Sequence, residues 1–429
     1  MTGMLARRLQ GKSLKPLLSC YHTAVLSFGE GSQGALGCSS LGDNYEPEEV
    51  NLTKDIAKVA AGHYHSLAIN LEGKLFTWGR NNEGQLGQAL QPLESAATPA
   101  AVDALAKFKV MSAAASGVAS FAVVEDGTVW GWGSSKRGQL GLGQGIVEAL
   151  KPQRLPGLEG ITQVSAGWGH ACALREDGQL FSWGYPQHGR LGHSLAPSQA
   201  QDEQAAVMGR LIWQPQPADL LSPVQIKQVA CGLDHTVAVA QNGQVYAFGD
   251  NSLCQLGRAG GMGVQETSAD AAAWIVRDKE GADIIFTKVA AGLGHCLGVT
   301  HKGDVMAWGW AAAGQLGLGQ CHQGSHTVVH PTPIFGLPEN NRALVAAARV
   351  HSVLASEDLF VDPETAHLPH DDTLNSLTQF YAWGSGHNGR LGLGYQQDMT
   401  VPEMVSELDG AEILDVACGN DHTLVLIRL

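Results

Sequence analysis

The sequence predicts an all-β fold: a closed seven-bladed β-propeller of four-stranded antiparallel blades, with the first and last strands sharing one blade. Three observations predict it. An aromatic-glycine motif recurs seven times, a Val-Ala-Gly-His motif alternates with it, and the chain ends supply complementary parts of one repeat. A period of about 50 residues marks stacked supersecondary units that bury their cores against their neighbours.

The first motif runs from aromatic-Gly through a few mostly polar residues to a variant of Gly-Gln/Arg-Leu-Gly. Its copies are LSFGEGSQGALG from Leu26, FTWGRNNEGQLG from Phe76, WGWGSSKRGQLG from Trp130, FSWGYPQHGRLG from Phe181, YAFGDNSLCQLG from Tyr246, MAWGWAAAGQLG from Met306 and YAWGSGHNGRLG from Tyr381. Trp78, Trp132, Trp183, Trp308 and Trp383 precede the glycine in five copies and read as blade-packing anchors.

The second motif reads VAAGHYHSLAI from Val59, VSAGWGHACAL from Val164, VACGLDHTVAV from Val229, VAAGLGHCLGV from Val289, VAAARVHSVLA from Val345 and VACGNDHTLVL from Val416. A degenerate copy, MSAAASGVASFAVV, starts at Met111. His65, His170, His235 and His295 each lie 13 residues before the aromatic of the next aromatic-Gly pair, and Ala119 keeps that spacing to Trp132. A fixed offset through varying sequence implies one shared backbone path. With His351 and His422, these histidines read as recurrent hydrogen-bonding posts that tie turns together.

Between the motifs stand Glu72-Gly73, Asp126-Gly127, Asp177-Gly178, Asn242-Gly243 and Lys302-Gly303, each flanked by short alternating apolar runs. Glycine there supplies the positive φ of a tight hairpin. No helical period is long enough to compete. Small sheets repeated along a chain hide their edges best around an axis. The last copy ends at His422–Leu429, where a turn and an aromatic-Gly strand should follow, and His22–Gly31 supplies that strand without a Val-Ala-Ala-Gly segment of its own. The two ends therefore pair, and the ring closes without exposed edges.

One large soluble domain is expected over residues 20–429, with loop insertions near 193–224, 258–285, 318–343 and 356–378. Long loops on a rigid scaffold are common sites of specificity, and the 356–378 insert is acidic and contains proline. Residues 1–19 carry Arg7, Arg8, Lys12 and Lys15, with no acid before Glu30. That pattern fits a mitochondrial targeting segment and a disordered basic lead-in equally, so the compartment stays open between mitochondrial and cytoplasmic or nuclear.

No apolar run reaches the roughly 18 residues of a membrane span. The 8 cysteines are scattered, and Cys172, Cys231, Cys296 and Cys418 fall where other copies have Ala, Ser or Leu. They read as small buried residues in a reducing compartment, which argues against secretion and a disulfide framework. A net charge of −14 with no Lys/Arg-rich run argues against direct nucleic-acid binding as the main task. Cys321, His322, His326 and His330 have ligand chemistry, as do His367 and His370 before Asp371 and Asp372, but neither cluster has a recognised metal-ligand pattern. GQLGLG follows no strand into a helix, so it is a turn and not a phosphate cradle. No metal, cofactor, hydrolytic site or redox site is expected.

These motifs resemble the regulator of chromosome condensation family of seven-bladed propellers, which includes the exchange factor for the small GTPase Ran and the plant ultraviolet-B receptor. The resemblance spans roughly residues 20–429 and implies a protein-interaction module. Exchange in that family needs no covalent chemistry; polar loops on one propeller face distort the GTPase's nucleotide site. The resemblance places partner contacts at the Ala-Gly-x-x-His tips, typically at an acid before the histidine. Asp234 and Asp421 match that position, and the other tips offer His63 with Tyr64, Trp168 and Arg349. A non-catalytic scaffold, or an organellar regulator of protein or RNA-processing assemblies, is the alternative. The photoreceptor reading is weaker, because that relative uses Gly-Trp-Arg-His-Thr tips. Here only Trp168 stands at such a place, followed by Gly169.

Overall fold

Each repeat folds into one four-stranded antiparallel sheet, and seven such sheets form a ring. The computed structural model describes residues 22–52, 55–88, 94–194, 211–259, 273–319, 326–340, 342–358 and 377–429. The basic segment 1–19, Cys321, His322, His367 and His370 lie outside them. Strands are numbered β1 to β28 in chain order. In blade 1, β3 (Ile56–Ala61) is innermost, followed outward by β4 (His65–Asn70), β5 (Leu75–Gly79) and β6 (Ala96–Ala101). Blades 2 to 6 repeat this order within residues 110–154, 161–217, 226–275, 286–333 and 344–404.

The sequence dictates this layering. The inner strands share Val and Ala at the positions that converge on the axis, and Gln163 and Gln228 also line the channel there. The second and third strands of a blade are buried on both faces; β4 and β5 are sealed almost throughout. Most outermost strands hold proline among small or polar residues, as in AATPAA of β6, and are partly open to solvent. Proline at an edge removes a donor that would otherwise invite another strand. The hairpin glycines do take positive φ, from 75° at Gly127 to 100° at Gly303.

The seventh blade joins the ends. Its order is β2 (Asn44–Glu49), β1 (Thr23–Gly29), β28 (His422–Arg428), β27 (Glu412–Cys418). β1 lies antiparallel to β28 in unbroken register, from Thr23 opposite Arg428 to Gly29 opposite His422. The ring is closed. Apolar clusters sit in the joints between blades: Val25, Leu424 and Leu426 of blade 7 pack on Trp78 and Ala68 of blade 1. Burying such residues contributes roughly 1.5–3 kcal/mol each, so every blade depends on its neighbours.

Candidate functional site: the axial tip face

The turn between the first and second strand of each blade points to one end of the axis. The histidine closing that turn is buried in all six copies. Its ring ties blade to blade. His65 Nε2 lies 2.7 Å from Ser120 Oγ in blade 2, and that hydroxyl donates to the Gln85 carbonyl of blade 1 at 2.8 Å. The hydroxyl proton is thereby committed, so the ring donates through Nε2–H. Trp132 Nε1 donates to the same carbonyl at 2.8 Å. His295 with Ser352 and Gln315, and His422 with Ser66 and Ala35, repeat the arrangement, joined by Trp383 and Trp78. His235 meets Cys296 Sγ at 3.2 Å in the Trp308 joint. Burial drives the pKa of His65, His235 and His295 down to about 3, so all three rings are neutral.

The joint between blades 2 and 3 departs from this pattern on both sides. Ala119 replaces the histidine and Ala171 the hydroxyl, leaving only Trp183 Nε1, which donates to the Gln139 carbonyl at 2.8 Å.

Two joints carry an added ion pair. Arg190 replaces the usual Gln in blade 3 and pairs with Asp234, the acid before His235 in blade 4. Arg390 in blade 6 likewise stands 2.7 Å from Asp421 in blade 7. The guanidinium side chains are 2% and 7% exposed. Both tip acids therefore have structural partners. Asp234 retains 36% side-chain exposure, whereas Asp421 retains 11%. His170 and His351 bond at these joints to Thr236 and Thr423, whose hydroxyls donate to the carbonyls of the two arginines.

At the axis the remaining tips meet. His63, Leu233, Leu293, Arg349 and Asn420 line the mouth of a channel of about 320 Å³ walled by all seven inner strands. Backbone bonds run from tip to tip, including Asn420 N–H to the His63 carbonyl at 3.2 Å and Trp168 N–H to that of Leu233 at 3.2 Å. The Trp168 indole of blade 3 reaches across blade 2 and stacks on His63 of blade 1, with centroids 5.1 Å apart and planes at 15°. Gly117 permits this reach: a Cβ there would lie 2.4 Å from the indole and 2.8 Å from His63 Nδ1. Burial, then the charge of Arg349, lowers the pKa of His63 to about 4. Tyr64 sits edge-on to His63 beneath the Arg80 guanidinium. Sequence reasoning chose His63, Tyr64, Trp168 and Arg349 separately, and the structure brings them together. It missed Arg137 and Tyr185, which stack beside Gly169 with the guanidinium 5.1 Å from the ring centroid. The cue was slight: an arginine in one blade's loop and a tyrosine in the next.

Seven closed blades, repeated Gly-x-x-His tips and a shared axial mouth define the class of propeller to which the chain is assigned. Residues 24–425 match the RCC1-like domain, and the chain belongs to that family. It is 32% identical over 300 residues to the ultraviolet-B receptor of Arabidopsis thaliana, covering 69% of this chain but 63% of the receptor, less than two thirds of its length. Against the regulator of chromosome condensation of Xenopus laevis it is 29% identical over 413 residues, covering 94% of this chain and 89% of the relative. The solved structure of Prp20p from Saccharomyces cerevisiae superposes with a TM-score of 0.76 at 24% identity, covering 96% and 93% of the two chains, a likeness of fold.

Proposed function

We propose that this propeller regulates a small GTPase by docking it on the tip face and promoting nucleotide release. The observation that carries the reading is the near end-to-end correspondence with the Xenopus regulator, 94% of one chain against 89% of the other. The solved Prp20p structure is described with its binding to Gsp1p and histones, which makes a protein partner the natural choice here too. The tip face suits that role: bonded blade to blade, it presents polar groups without having to order them on binding. Asp234 is the better acid for contact, because its carboxylate remains partly open while Asp421 is nearly sealed.

The scaffold reading draws on the same ion pairs, since acids held by Arg190 and Arg390 are already engaged. Among the described residues no two indoles stack, which weighs against a tryptophan chromophore. Release of a fluorescent guanine nucleotide from Ran, with and without the protein, separates the readings. Accelerated release that falls with Asp234→Ala and survives Arg190→Gln supports exchange. Unchanged release leaves the scaffold.

A further inference from the structure

We infer that the strip running from Arg349 across His63 and Trp168 to Arg137 receives an acidic peptide segment of a partner protein. This rests on reading the tip face as a docking surface, but not on nucleotide exchange. The argument begins with charge. The chain carries 27 basic and 41 acidic side chains, so an unpaired arginine is conspicuous. Elsewhere the described arginines are largely answered: Arg80 by Glu83, Arg175 by Asp177, Arg190 by Asp234 and Arg390 by Asp421. Arg137 and Arg349 are exposed on the tip face, and neither forms an ion pair among the described residues.

The ground between them is aromatic and preassembled. Trp168 is already stacked on His63, Tyr185 is clasped between Arg137 and Arg190, and both tip aromatics remain partly exposed. Of the acids on this side of the ring, Glu83, Asp234 and Asp421 are each bound to an arginine, while Asp250 and Glu30 accept from neighbouring side chains. Two separated cations bordering rigid aromatic surface favour an extended chain bearing carboxylates, with apolar groups lying on the indole. The channel mouth beside Arg349 gives one side chain of that segment room to enter. A nucleic acid would also answer arginine and aromatic groups, but the charge total of −14 opposes a polyphosphate chain far more than a short acidic one.

The test uses the full chain and fluorescence anisotropy with three labelled probes: a short glutamate-glycine-phenylalanine peptide, its glutamine counterpart, and a short oligouridylate. The glutamate peptide should bind, more weakly as salt rises, and the glutamine peptide should not. Arg137→Glu with Arg349→Glu should weaken binding about tenfold or more, the neutral Arg137→Gln with Arg349→Gln less. Arg342→Glu, at the far end of blade 6's inner strand, should leave it unchanged. Equal melting temperatures across the set show that the variants fold. Failure of the glutamate peptide to bind, equal binding by the charge-reversed variant, or tighter binding of oligouridylate through the same arginines overturns the inference. None of these outcomes involves a GTPase, so loss of the exchange reading would be seen separately.

Discussion

Arg190 of blade 3 and Asp234 of blade 4 form an ion pair across a blade joint, with the arginine side chain 2% exposed. The tip acid that the sequence offers to a partner is therefore also a structural clasp. Arg390 and Asp421 repeat the relation three blades later.

Removing either acid should cost stability before it costs anything else. Breaking a buried pair costs about 3–5 kcal/mol; water already screens the 36% exposed Asp234, so the effect should be smaller there than at Asp421, which is 11% exposed. Asp421→Ala should accordingly destabilise more than Asp234→Ala in urea unfolding. Arg190→Gln combined with Asp234→Gly rebuilds the pattern of Gln139 beside Gly169, and should recover most of the loss. Additive losses in that double-mutant cycle would contradict the clasp.

The buried histidines make the ring sensitive to acid. Their folded pKa values, about 3 for His65, His235 and His295 and about 4 for His422, lie below the ordinary 6.5. An unfolded chain takes up protons below pH 6.5 that the folded ring refuses, so stability is full above 6.5 and declines as pH falls toward 3–4. Each histidine contributes a slope of about 1.4 kcal/mol per pH unit in that window. Replacing His65 by Gln should flatten the pH dependence of the melting temperature by one such increment.

The relay also predicts a contrast between joints. Ser66→Ala and Ser352→Ala each strip a buried ring of its partner, leave the carbonyl with its tryptophan donor alone, and should cost about 1–2 kcal/mol. Ala171→Ser faces Ala119 and no imidazole, so it should change stability by less than about 0.5 kcal/mol. Thermal unfolding of the three variants decides the point.

Gly117 should act as the gate for the aromatic stack. Gly117→Ala brings a methyl to 2.4 Å from the Trp168 ring, which can swing aside because it is the end of a side chain. The fold should hold while the stack opens. The His63 pKa, followed by NMR, should then rise from about 4 toward 6.5.

Blades, their order and the pairing of the chain ends were legible because a strand's role here is written locally, in turn glycines and an offset of 13 residues kept in five repeats. The joints were harder to read. Gly-Arg-Leu-Gly at Arg190 and Arg390, Asp-His at Asp234 and Asp421, and Phe in place of Trp at Phe248 and Phe28 all fall at the same two joints. Each change looks like free variation alone, because its partner lies in the next repeat. The stacking of Trp168 on His63 was hidden for another reason: it spans a whole blade and depends on the side chain that Gly117 lacks.

The account depends most on a ring whose first strand is built into its last blade, since only a closed ring holds the tips rigid. Amide hydrogen exchange along β1 tests this directly. Leu26 and Phe28, opposite Val425 and Thr423, should exchange as slowly as Leu67 in the body of blade 1. Rapid exchange along β1 while blade 1 stays protected would contradict it.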